Sequence, residues 1–153
     1  MIRHVLAHNG GREESIVCHA ATLLRPGGCV YLADIDASGI RMRPSDPDVE
    51  DLGRRYMEWH AQRGNDLSVG LRLDDLLAAC GLDVVDFQGR YQIFTVPPGV
   101  RPPGWAARDA MVEAGLAGAS DLERWAAAFE RIDTWVPPPT VFASLFFGAG
   151  RRP

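Results

Sequence analysis

The chain has 153 residues, 46% hydrophobic and 24% charged, with a net charge of −4 and an isoelectric point near 5.5. These values describe one globular domain, and the acidic balance argues against a non-specific nucleic-acid binder; the 16 basic residues are all arginines, a compositional bias, since they lie scattered. The opening MIRHVLAHNGG lacks the charged and long apolar regions of a signal peptide, and no apolar run reaches the ~18 residues of a membrane span.

Cys18, Cys29 and Cys80 are odd in number and have no CxxC spacing. That argues against a disulfide framework, and a soluble cytoplasmic protein is expected. Neither His4 and His8 nor Cys18 and His19 make a zinc pattern, and no metal is expected.

The chain opens with IRHVLA (2–7), short and β-branched, which predicts a strand running into the breaker HNGG. Residues 12–24 predict a helix with Ile16, Val17, Ala20, Leu23 and Leu24 on one stripe and Glu13 and Glu14 in the first turn. Pro26-Gly27-Gly28 ends it. CVYLADI then runs apolar at nearly every position, as a parallel strand covered on both faces does.

Residues 37–48 predict a loop, and Asp46 or Asp48 a cap for a helix carrying Val49, Leu52, Tyr56 and Trp59. After NDLSVG, LRLDDLLAAC predicts a short helix closed by Gly81, and LDVVDFQGRYQIF a strand whose interior Gly89 marks a bulge or a close approach. A Pro-rich connection leads to helices over 105–116 and 120–133, and VFASLFFGAG predicts a last strand. The order β-α-β-α-α-β-α-α-β in one domain is α/β.

Four segments resemble, in order, the C-terminal half of class I S-adenosylmethionine-dependent methyltransferases. IRHVLAH (2–8) is similar to the family's fourth strand, and LLRPGGCVYLADID (23–36) to the corner before its fifth. VGLRLDDLLAACGLDVVDF (69–87) resembles the helix, turn and sixth strand, and TVFASLFFGAGRRP (140–153) the last strand and its ending. The resemblance implies a partial Rossmann-like sheet of strands 4-5-7-6, the last antiparallel, flanked by helices. It also implies a single incomplete domain over 1–153 with a helical insertion at about 104–134. The acidic residue and Gly-rich turn that open the family's cofactor site are not found. EAGLAG (113–118) imitates their composition inside a helical stretch. The expectation is therefore a methyltransferase fold whose front half is missing through truncation, a misplaced start or a split enzyme.

Ligands of open α/β sheets bind beyond the carboxyl ends of parallel strands. Through the resemblance, Arg3, His4 and His8 are the candidate contacts to the methionine end of S-adenosylmethionine, the implied cofactor. Asp34 and Asp36 close the other parallel strand, and their alternate spacing predicts one shared face. They are candidates for acid/base chemistry, or for capping or pairing with Arg41 or Arg43. His60, on a helix with Tyr56 and Trp59, is the other candidate base beside Asp36. Trp105, Trp125, Phe129 and Trp135 fit helical packing before they fit an aromatic cage.

Two readings follow. One is the C-terminal part of a small-molecule methyltransferase, impaired or inactive alone. The other is a non-catalytic interaction or dimerisation module derived from that fold. In both, the exposed edge of strand 2–7 predicts a homo-oligomer.

Overall fold

A computed structural model describes all 153 residues. In chain order the elements are β1 (Ile2–Arg3), α1 (Glu13–Thr22), β2 (Cys29–Ile35), β3 (Arg41–Arg43), α2 (Pro47–Gln62) and α3 (Leu73–Ala79). Then come β4 (Asp83–Thr95), α4 (Pro103–Ala106), α5 (Arg108–Glu113), α6 (Ala119–Asp133) and β5 (Thr140–Arg151). Short 3-10 turns lie at Leu6–His8, Ala37–Gly39 and Val69–Arg72. No helix is long and apolar enough to cross a membrane. The chain forms two compact units: Met1–Ile40 with Arg63–Gln92 and Ala143–Pro153, and Arg41–Gln62 with Ile93–Phe142.

In the first unit β1 runs parallel to β2, with Arg3 beside Ala33, so the chain between them must cross over, and α1 is that crossover. The last strand, β5, lies antiparallel to β2 from Cys29 opposite Arg151 to Ile35 opposite Leu145, and β4 pairs with β5. The order β1-β2-β5-β4 makes a mixed, partly parallel, open sheet with helices packed on it. This is the expected α/β, methyltransferase-like arrangement.

Directly opposed residues share a sheet face. Val30 and Leu32 are buried opposite Gly150 and Gly148. A Cβ on Gly148 would stand 3.1 Å from Leu77, and one on Gly150 would stand 2.9 Å from it. The two glycines let α3 and its leucines lie directly on the strand. The opposite face, with Tyr31 and Ala33 opposite Ala149 and Phe147, is not covered in the same way, and Tyr31 is 58% exposed. The expectation of cover on both faces fails there. An apolar strand is also what an antiparallel neighbour on one side and one helical layer can support.

Other expectations need correction. The predicted strand 2–7 is only Ile2–Arg3. His4 takes a left-handed backbone (φ 51°), and the N–H groups of Leu6 and Ala7 turn inward to Asp34 instead of continuing a ladder. Leu23 falls outside α1 as its C-cap and is 74% exposed, while Ala21 takes its place in the core. The 37–48 loop contains β3, and the 105–116 helix breaks into α4 and α5 at Ala107. Cys18 and Cys80 form a disulfide, because α1 and α3 pack side by side and bring their Cα atoms to 4.8 Å. Cys29 stays a thiol. Gly89 is a close approach, since a Cβ there would meet the Phe146 ring at 2.8 Å.

The second unit has its own core of Leu52, Met111, Trp125, Phe129 and Ile132. Here β3 pairs antiparallel with the start of β5, Arg43 opposite Thr140. Asp46 caps α2, accepting from the Asp48 N–H at 3.0 Å, and accepts from Nε and Nη2 of Arg131 at 2.9–3.1 Å. Asp51 accepts from the Trp125 indole N–H at 3.1 Å and from Arg55 at 3.0 Å. Burial pushes its carboxyl up, but the donors Arg55, Trp125 and Arg54 together outweigh burial and hold it below the usual value.

Candidate functional site

The carboxyl ends of β1 and β2 are where an open α/β sheet places its ligand. The backbone bends away at His4, whose N–H still donates to the Ala33 carbonyl at 2.9 Å. Past it, the Leu6–His8 turn is pinned from beneath. Asp34, 1% exposed, receives the Leu6 N–H at 3.0 Å and the Ala7 N–H at 3.4 Å on one oxygen. Its other oxygen receives the neighbouring Ile35 N–H at 3.0 Å.

Asp36 ends β2 as a second buried hub. One oxygen accepts from the Ser38 N–H at 3.0 Å, the Ser38 hydroxyl at 2.6 Å and the Ser68 hydroxyl at 2.7 Å. Its carbonyl accepts the Ser144 hydroxyl at 2.7 Å. Of the roles open to these two aspartates from the sequence, the one seen here is capping. Each holds a turn that leaves a strand.

Around them three loops close on one another through glycines. Gly10 donates to Asn65 at 3.0 Å, and a Cβ on it would strike the Gly64 backbone at 2.8 Å. Gly70 sits against the end of β2, where a Cβ would come within 2.6 Å of the Ile35 carbonyl oxygen. Asp66 holds the Ser68 N–H at 2.9 Å and the Arg72 guanidinium at 2.9 Å.

Arg3, His4 and His8 are all exposed at this end of the unit. Arg3 and His4 also line a groove of about 490 Å³ on the uncovered sheet face, with Tyr31, Phe147, Asp86 and Arg90. His8 does not line it, and Asp36 is buried in its hub. His60 belongs to the second unit, buried between Tyr56 and Trp59 with ring centroids at 4.6 and 4.8 Å, edge to face. Its ring packs in an aromatic pocket.

Ser68, Ser144 and Gly70 also belong to this end of the unit, though the sequence does not single them out. For Ser68 a signal exists, the Asp66-x-Ser68 spacing of an Asx turn. Ser144 and Gly70 carry none, because what they touch is far away in the chain.

No protein-family model matches the chain, and no curated protein matches it. Among solved structures, the chain is similar to a protein of Bacillus halodurans C-125 provisionally assigned as a methyltransferase. The identity is 13% and the TM-score 0.50, over 99% of this chain and 67% of that one. It also aligns with phosphoethanolamine N-methyltransferase 2 of Haemonchus contortus, determined with phosphomonomethylethanolamine and S-adenosylhomocysteine. That identity is 12% and the TM-score 0.42, over 99% of this chain and 32% of the other. The chain thus spans about two thirds of the first and about a third of the second. At these identities the likeness is one of fold.

Proposed function

We propose that the chain is the C-terminal half of an S-adenosylmethionine-dependent small-molecule methyltransferase fold, and that alone it holds the cofactor weakly and is impaired or inactive in methyl transfer. The strand order β1-β2-β5-β4, with β5 antiparallel, supports the correspondence to family strands 4-5-7-6.

One observation carries the second half of the proposal. Both carboxylates at the parallel strand ends are already engaged by this chain's own N–H and hydroxyl groups. Asp34 is fully enclosed and Asp36 is committed through one oxygen to the turn after β2, which draws both away from the sugar hydroxyls that an acidic residue usually binds in such folds. In this reading Arg3, His4 and His8 supply donors at the methionine end of the cofactor, while a complementing half supplies the ribose carboxylate and the glycine turn. No base is assigned. Methyl transfer by direct displacement depends mainly on alignment of nucleophile and methyl group.

The second reading, a non-catalytic self-association module, is favoured by the uncovered sheet face around Tyr31. Incubation of the chain with methyl-labelled S-adenosylmethionine and a panel of small hydroxyl and amine acceptors tests the first reading. We expect no label transfer by the chain alone. Sustained turnover would refute the claim that it needs a complement.

A further inference from the structure

We infer that β4 is a self-complementary edge through which two copies of this chain join their sheets, antiparallel, with Gln88 opposite the partner's Gln88. This inference is independent of any methyl-transfer role.

β4 is 13 residues long and pairs with β5 alone, so its other edge carries no strand. Unpaired strand edges template association with another chain, and proteins commonly blunt them with lysine, proline or shortness. β4 has neither lysine nor proline and is not short; its charged residues, Asp83, Asp86 and Arg90, carry both signs and so oppose only a partner strand that does not match them. Large apolar side chains stand out along it instead, Val85 at 46% and Tyr91 at 60% exposure.

The charge pattern selects the occupant. Asp86, Gln88 and Arg90 alternate along the strand and therefore share a face. They form a ladder in which Gln88 donates to Asp86 at 2.8 Å and Arg90 donates to Gln88 at 2.8 Å. The negative and positive ends thus lie two residues either side of Gln88. Pairing a second copy antiparallel about Gln88 sets Asp86 opposite the partner's Arg90, and Arg90 opposite the partner's Asp86. The same register sets Val85 opposite the partner's Tyr91 on the other face, a favourable β-branched and aromatic pair, and Phe87 over the partner's Gly89. A slip of two residues in either direction loses both ion pairs. An arbitrary partner strand has no reason to match this palindrome, whereas a second copy matches it twice.

The test is sedimentation equilibrium on the wild-type chain and on Asp86→Arg, Arg90→Asp and the double variant, with circular dichroism confirming that each is folded. Wild type is expected to be dimeric at micromolar concentration. Each single exchange sets like charges face to face at two symmetric positions and should weaken dimerisation on the order of tenfold or more. The double exchange restores the pairing and should recover most of the loss. A monomeric wild type, a dimer indifferent to the single exchanges, or a double variant no better than the singles would each overturn the inference.

Discussion

Asp34→Ala is expected to destabilise the first unit by about 3–4 kcal/mol in urea denaturation. The removed carboxylate strands the N–H groups of Leu6 and Ala7, both residues buried, and each unpaired buried donor costs roughly 1–3 kcal/mol. Asp34→Asn keeps the shape and an acceptor oxygen and should recover about half of the loss. Asp36→Ala should be milder, about 1–2 kcal/mol, because two of its donors are hydroxyls that can rotate to other acceptors. The opposite ranking, or a neutral Asp34→Ala, would mean that Asp34 is not what holds the turn after β1.

Trp125→Ala should have an effect of similar size in the second unit, about 3–5 kcal/mol, with its thermal transition lowered by about 15 °C or more. Trp125 is fully buried against Leu52, Met111, Phe129 and Ile132, so truncation opens a cavity the size of an indole. It also removes the indole N–H that donates to Asp51, leaving Asp51 to its arginines. Trp125→Phe keeps most of the packing and loses the donor, and about half of the effect should remain. Differential scanning calorimetry of the two variants separates packing from the hydrogen bond. A shift below about 5 °C for the alanine variant would show that this cluster is not the unit's core.

The helices and most strands were legible because their signals are local. Val49, Leu52 and Tyr56 recur at helical spacing, Asp46 precedes Pro47 as a cap, and Gly81 closes α3 at a left-handed φ of 72°. Gly89 announced a close approach, though not that Phe146 makes it. The strand order came from the resemblance rather than from periodicity, since nothing in β5 itself says that it inserts between β2 and β4.

What stayed hidden are effects that act across the chain. The strand predicted over 2–7 stops after Arg3 because a carboxylate 28 positions away takes the next donors. A disulfide joins Cys18 and Cys80 across 62 positions only because two helices pack side by side. At the candidate site the exposed groups Arg3, His4 and His8 were visible in the sequence, but the serines and glycines that lock the surrounding loops were not.

If both strand-end carboxylates serve the fold, neither is presented to the cofactor's sugar. Calorimetric titration of S-adenosylmethionine into the purified chain, with its mass in solution recorded alongside, tests this most directly. No saturable heat is expected up to millimolar ligand, whether the chain is monomeric or dimeric. Stoichiometric binding at micromolar ligand would contradict it, showing that this half holds the cofactor through groups other than Asp34 and Asp36.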